Sequence, residues 1–134
     1  MAQIEDIEGV GPQYADKLRA AGIASVEKLL ESGATAKGRD ALAEQTGISA
    51  KLILTWVNHA DLFRIKGVAG QFSELLEAAG VDTVPELAQR NAENLQAALA
   101  KTNEEKSLAK TTPSLTQVTT WIAEAKSLPK MVHH

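Results

Sequence analysis

The chain repeats itself, and this repeat constrains the fold more than any other feature of the sequence. Residues 65–68, Ile-Lys-Gly-Val, match residues 7–10, Ile-Glu-Gly-Val, at an offset of 58. The match continues where residues 78–81, Ala-Ala-Gly-Val, correspond to residues 20–23, Ala-Ala-Gly-Ile. A chain with a long internal period usually folds as copies of one supersecondary unit. We therefore expect two related units in tandem.

Each copy opens with a glycine turn between two short helical patterns. In the first copy the run Gly9-Val10-Gly11 is followed by Pro12, and proline is favoured in the first turn of a helix. Ala15 and Leu18 lie three residues apart, so they share one face of that helix, and Gly22 ends it. The pattern predicts a hairpin of two short helices whose turn presents backbone N–H groups at a helix N-terminus.

Capping residues and helical spacing predict the rest of the first copy. Ser25 is a suitable N-cap for a helix that ends at Gly33, and a second helix is expected over residues 36–46. Ser49 is a suitable N-cap for a third helix, which carries Trp56 among aliphatic residues. The first copy is thus predicted to contain about five helices.

The second copy keeps this order but is longer. Thr83 and Glu86 have the spacing of a capping box, and Trp121 matches Trp56 at an offset of 65. The larger offset indicates that residues were gained near 103–113, which we predict to be a longer loop. Both tryptophans are expected to lie in the core.

Composition supports an all-α fold, because alanine, leucine, glutamate and lysine are frequent whereas aromatic residues make up 4% of the chain. We predict two units of about five helices each, packed together. Residues 1–61 form the first, residues 62–130 the second, and residues 131–134 a tail. The tail ends in His133 and His134, which resemble the remnant of a purification tag.

Other bulk properties narrow the functional classes. The chain has no cysteine, so disulfides are excluded and a cytoplasmic location is expected. No apolar run approaches the roughly 20 residues that span a bilayer, and the N-terminus lacks a signal pattern, so no membrane partner is expected. The formal charge of −3 gives no overall basic character, and a nucleic-acid contact would need a local basic patch.

The first turn resembles a helix-hairpin-helix motif, the module with which many DNA repair and recombination proteins hold a phosphate backbone. The residues that carry this resemblance are Ile7, Gly9, Val10, Gly11, Ala15 and Leu18. Nearly the whole chain resembles an uncharacterised bacterial family of tandem helix-hairpin-helix proteins, a domain-of-unknown-function family, notably over residues 46–49, 56–62 and 81–88. The family looks similar to the small helical folds of the DNA polymerase beta lyase domain and the sterile alpha motif. This resemblance implies a fold and no settled activity.

A helix-hairpin-helix turn would hold phosphate through backbone N–H groups, helped by the positive end of the following helix and by nearby basic side chains. The first turn has the glycines for this, but carboxylates surround it. These acidic residues are Glu5, Asp6, Glu8 and Asp16. Residues 1–61 carry six basic and nine acidic side chains, so phosphate would be repelled there.

The second turn has the opposite balance. Arg64 and Lys66 flank it, but Ala69 replaces the second glycine and Gly70 follows one position late. Residues 62–134 carry eight basic and eight acidic side chains, and Lys106 and Lys110 extend the basic patch. We expect phosphate contacts at backbone amides of residues 9–12 and 67–71. The candidate binding residues are Gly9, Val10, Gly11, Arg64, Lys66, Gly67, Val68 and Gly70.

The sequence thus predicts a non-catalytic, sequence-independent module that binds DNA or RNA phosphate. The alternative is a protein-interaction or scaffold module with a degenerate helix-hairpin-helix fold. A lyase would need a lysine of lowered pKa, but Lys17, Lys51 and Lys66 have no cluster of cations beside them and are expected to be solvated. His59 stands alone, as a surface or capping residue, and no metal or other cofactor is expected.

Overall fold

The structure, a computed structural model, describes residues 2–68 and 70–133. Its elements are a 3-10 helix at Ile4–Asp6 and the helices α1 (Pro12–Ala20), α2 (Val26–Ser32), α3 (Ala36–Thr46), α4 (Ala50–Leu62), α5 (Gln71–Ala78), α6 (Val84–Ala88), α7 (Ala92–Lys106) and α8 (Leu115–Ser127). An isolated antiparallel bridge joins Gln3 to Ser25, and no strand forms in the described residues. The predicted all-α class is confirmed.

The chain divides into two compact units. One comprises Met1–Asp61 together with Met131–His134, and the other comprises Leu62–Lys130. The first contains the 3-10 helix and α1 to α4. The second contains α5 to α8, four helices within its described residues instead of the expected five, because the residues before α5 form a turn.

The first unit has a core of aliphatic side chains with one tryptophan. Helix α1 contributes Ala15 and Leu18 on its buried face, as the three-residue spacing predicted. The other buried apolar residues of this unit are Ile4, Ile7, Val10, Ile23, Val26, Leu29, Leu30, Leu42, Ile48, Ile53, Trp56, Val57, Ala60 and Val132. Because burial of such a side chain is worth about 1.5–3 kcal/mol, this set is a main source of the free energy that favours folding of the unit.

Residues from the far end of the chain complete the first unit. Val132 is buried, and the backbone N–H of His133 donates to the carbonyl oxygen of Ala34 at 2.7 Å. The guanidinium of buried Arg39 donates to the carbonyl oxygens of Gly33 and His133, both at 2.8 Å. Hydrogen bonds of this kind satisfy a buried cation. The other histidine of the tail, at position 134, lies outside the described residues.

The second unit has its own core, drawn from the turn before α5 and from all four helices. Leu62 at the end of α4 and Ile65 and Val68 in the turn are almost fully buried. The helices and their connections add Leu75, Leu76, Val81, Val84, Leu87, Leu95, Leu99, Ala109, Val118, Trp121, Ile122 and Ala125. Both tryptophans are buried, as predicted.

The capping box predicted at Thr83 and Glu86 was wrong. The side chain of Thr83 makes no capping hydrogen bond, and the carboxylate of Glu86 accepts from Arg90, whose Nη2 lies 3.2 Å from Oε1. A capping box does form at the start of α8, between Ser114 and Gln117.

The inserted residues are only partly a loop. Helix α7 has 15 residues and reaches Lys106, whereas α3 has 11. Residues 100–106 are rich in good helix formers, so the helix extends into the segment predicted as loop. Beyond it, the side-chain amide of Asn103 donates to the carbonyl oxygen of Ala109 and accepts from its N–H, at 3.0 and 2.8 Å.

Candidate nucleic-acid interface

The first turn has the backbone geometry that the sequence predicted. Gly9 has φ +90°, and the N–H of Val10 donates to the carbonyl oxygen of Ile7 at 3.2 Å. A glycine with positive φ at the third position is typical of a type II turn. Gly9 is exposed, and Gly11, the N-cap of α1, has no side chain to cover the first amides of that helix.

The second turn repeats this geometry. Gly67 has φ +86°, and the N–H of Val68 donates to the carbonyl oxygen of Ile65 at 3.1 Å. Lys66 and Gly67 are exposed, whereas Val68 is buried in the core. Both turns therefore expose their central residues to solvent, while the two buried apolar side chains at the ends of each turn anchor it.

A tryptophan supports each turn from the inside. In the first unit, a Cβ placed on Gly9 would lie 3.7 Å from Nε1 of Trp56, and the Tyr14 ring meets the same indole with centroids 5.1 Å apart. The second unit repeats both contacts, at 3.5 and 5.4 Å, with Gly67, Trp121 and Phe72. Since the indoles are buried in both units, they fix the position of the exposed glycines.

Carboxylates dominate the surface around the first turn. Arg19 forms a salt bridge with Glu5, and its guanidinium lowers the pKa of Glu5 from its ordinary value through this hydrogen bond. Asp6 accepts the N–H of Gln3, while Glu8 at the turn is exposed. The positive charge of Arg19 is thus paired with Glu5, and the surface around the turn remains acidic.

The second turn already holds an oxyanion. The backbone N–H of Lys66 donates to Oε1 of Glu124, on α8, at 3.1 Å. Sequence reasoning missed Glu124. A signal for it was available, because it follows Trp121 by three residues and therefore lies on the same helix face, one turn further along.

Arg64, one of the predicted binding residues, has a contact within the chain. Its Nη2 donates to the carbonyl oxygen of Pro129 at 2.6 Å. The side chain thereby ties the start of the second unit to the residues that follow α8. The structure accordingly gives Arg64 a structural contact, and Lys66 is the more accessible of the two predicted cations.

The loop after α7 meets the start of α5, the helix that follows the second turn. Gly70, the N-cap of α5, has φ +48° and makes no side-chain cap bond, while Ala69 lies outside the described residues. The side-chain oxygen of Gln71 accepts the backbone N–H of Lys110 at 3.2 Å, which places the loop after α7 beside the first residue of α5. Lys106 is exposed at the end of α7.

The remaining candidates from the sequence are one histidine and two lysines. His59 is buried at 3% exposure, so its predicted surface or capping position was wrong. Lys17 and Lys51 are exposed. In the described part of the chain, no three histidine, aspartate or glutamate side chains gather as a group that could hold a metal ion. None of the described helices combines the length and apolar character that crossing a membrane requires.

Comparison with known proteins gives one match. The model of a family described as "Domain of unknown function (DUF4332)" matches residues 8–128, a stretch that includes both glycine turns. Searches of curated proteins and of solved structures found no match.

Proposed function

We propose that this chain, which belongs to the DUF4332 family, is a non-catalytic module that binds the phosphate backbone of nucleic acid without reading base sequence. The observation that supports this proposal is the hydrogen bond from the exposed second turn to a carboxylate, between Lys66 N and Glu124 Oε1. An amide that holds one oxyanion at an accessible turn is suited to hold a phosphate oxygen. Contacts of this kind position a nucleic acid and carry no sequence information.

The second turn also has more positive charge near it than the first turn has. The ammonium group of Lys66 is exposed, and the backbone contact with Gln71 brings Lys110 to the same end of α5. The N-terminus of α5 adds the partial positive charge of the helix dipole. These features favour an anion at the second turn even though the chain as a whole carries a formal charge of −3.

The first turn favours a second candidate function, the binding of a basic protein. Its glycine turn has the same shape, but Glu8 is exposed at the turn and Asp6 and Asp16 are exposed beside it. Several carboxylates at short range repel phosphate and attract lysine and arginine side chains. A scaffold that presents this acidic surface to a basic partner is therefore the alternative.

A salt titration tests the proposal. Binding of fluorescently labelled short single-stranded and duplex DNA and RNA is followed by anisotropy at increasing salt. We expect the affinity to fall with a log–log slope of about −0.7 to −0.9 for each phosphate neutralised. Lys66→Glu should abolish binding. Lys101→Glu, an exposed residue of α7 with the same charge change, should weaken it only slightly.

Two outcomes contradict the proposal. If no nucleic acid binds at low salt, the module does not hold phosphate and the protein-interaction alternative is favoured. If Lys66→Glu and Lys101→Glu weaken binding equally, attraction is a property of the general surface and the second turn is not the site.

A further inference from the structure

We infer that Glu124 is an intramolecular competitor for the phosphate at the second turn, and that it sets the affinity of the site. This inference rests on the proposed function. The carboxylate of Glu124 occupies the position that a phosphate oxygen would take on the Lys66 amide, with 3.1 Å between Oε1 and N. Phosphate binds when this side chain turns away.

The position of Glu124 on α8 favours this role over a purely structural one. Glu124 lies close to the C-terminal end of α8, which ends at Ser127. The negative end of the helix dipole disfavours a carboxylate there. The hydrogen bond from the Lys66 amide offsets this unfavourable interaction. The carboxylate of Glu124 is therefore stabilised by the turn and not by its own helix.

The two sequence copies differ at the positions that matter here. At the offset that aligns the tryptophans, His59 stands where the second copy has Glu124. At the offset that aligns the turns, Glu8 stands where the second copy has Lys66. The acidic residue on the supporting helix therefore accompanies the basic turn, as expected if it opposes binding at that turn.

Exchange of the two anions lowers the observed affinity. The incoming phosphate displaces the carboxylate from the amide, and the negative charge of the displaced group stays close to the site. Replacement of Glu124 by alanine removes both effects, whereas replacement by glutamine removes the charge and leaves a weaker, neutral acceptor. Removing one such hydrogen bond from the competing state corresponds to a gain of about threefold to tenfold in affinity.

The test compares four full-length proteins: the unchanged chain, Glu124→Gln, Glu124→Ala and the control Glu93→Gln. Glu93 is exposed in the first turn of α7, so its replacement removes the same charge elsewhere in the second unit. Anisotropy with the same labelled DNA gives the affinities. Nuclear magnetic resonance of ¹⁵N-labelled protein follows the Lys66 amide during a titration with inorganic phosphate.

We expect both Glu124 variants to bind DNA about threefold to tenfold more tightly, and Glu93→Gln less than about twofold. The Lys66 amide signal should shift in both Glu124 variants, and it should shift again on addition of phosphate. Glu124→Gln preserves the size and polarity of the side chain, so it reports on the charge even if the alanine variant folds poorly.

The outcomes separate this inference from the proposed function. If the unchanged chain binds DNA and the Glu124 variants bind no more tightly, the competitor role is wrong while phosphate binding remains. If the variants bind more tightly but phosphate leaves the Lys66 amide unmoved, the competitor role is also wrong. If none of the four proteins binds DNA or phosphate at low salt, both are wrong.

Discussion

At the scale of single residues, the backbone conformation of two glycines defines the two turns. Gly9 and Gly67 have φ values of +90° and +86°, which side chains other than glycine rarely adopt. The Cβ positions have ordinary contact distances of 3.7 and 3.5 Å to the tryptophan indoles. Strain in the backbone, and not lack of space, is therefore the reason for glycine at these two positions.

Gly9→Ala should lower the free energy of unfolding by about 1–2 kcal/mol, the cost of a left-handed backbone at a residue with a Cβ. Gly11→Ala is the matched control. Gly11 has negative φ and no atom within 4 Å of its Cβ position. Its change should stay within about 0.5 kcal/mol, because a weaker N-cap is offset by a less flexible unfolded chain. Equal losses in urea unfolding would contradict the assignment of strain to Gly9.

The pair of Glu5 and Arg19 makes stability depend on pH in one direction. The guanidinium lowers the pKa of Glu5 below its ordinary value of 4.5 in the folded protein. The stabilisation that this pair gives the folded protein is therefore complete above about pH 4.5. It is lost as the pH falls through the pKa that Glu5 has in the folded protein, which lies below 4.5. Arg19→Gln should lower the free energy of unfolding at pH 7, and this loss should shrink as the pH is lowered below about 4.5, measured by denaturant unfolding. Lys17→Gln, on the same helix, should show a smaller change with pH.

The sequence predicted the two glycine turns, but it did not predict the hydrogen bonds that join residues far apart in the chain. The glycines and tryptophans recur at fixed offsets, so their shared role was visible in the sequence. Glu124 contacts a residue 58 positions away, and Arg39 contacts one 94 positions away. Neither contact has a local pattern, because each depends on how distant helices pack.

At the scale of elements, most helix boundaries followed from local chemistry. Ser25 accepts the N–H of Lys28, and Ser49 accepts the N–H of Leu52, as expected of N-caps. The helix start predicted at Thr83 is also correct, since Thr83 is the N-cap of α6, but its capping box was wrong and Arg90 instead engages Glu86. Local sequence thus predicted where these helices begin, and it did not predict the side-chain contacts of a motif for which an outside residue competes.

Helix α3 contains a glycine that packing requires. A Cβ on Gly38 would lie 2.2 Å from the backbone oxygen of Ser32. Alanine is the better helix former by about 1 kcal/mol, yet overpacking against rigid backbone costs about 1–3 kcal/mol. Gly38→Ala should therefore destabilise the protein in thermal unfolding, whereas Lys37→Ala, exposed on the same helix, should not. A stabilised Gly38→Ala variant would show that α3 can move away from this contact.

The side chain of Asn103 holds the loop after α7 to the end of that helix. Asn103 makes two hydrogen bonds to the backbone of Ala109. Asn103→Ala should lower the free energy of unfolding by about 1–2 kcal/mol and speed proteolysis within residues 107–113. Asn94→Ala, exposed on the same helix, is the control for the loss of an asparagine side chain. Unchanged proteolysis in Asn103→Ala would mean that other contacts order the loop.

At the scale of the whole molecule, the sequence order and the spatial order of the chain differ. The first unit is assembled from residues 2–61 and 131–133, and Val132 is buried to 2% exposure. Composition and the internal repeat indicated helices, but they gave no sign that residues after the second unit return to the first. Only the packed structure contains that information, since the returning segment is three described residues with no periodicity.

Val132→Ala should lower the free energy of unfolding by about 1.5 kcal/mol, because it removes two buried methyl groups. His133→Ala should have an effect within about 0.5 kcal/mol, since the side chain is exposed and only its backbone bonds to Ala34 and Arg39. Denaturant unfolding of both variants measures the difference. A loss of less than about 0.5 kcal/mol for Val132→Ala would mean that residues 131–133 contribute little to the packing of the first unit.

The returning segment also has a consequence for synthesis on the ribosome. Domains usually fold in the order in which they are made, the N-terminal one first. Here residues 131–133 emerge only after every residue of Leu62–Lys130 has been translated. The first unit is made earlier, but it becomes complete only after every residue of the second unit has emerged.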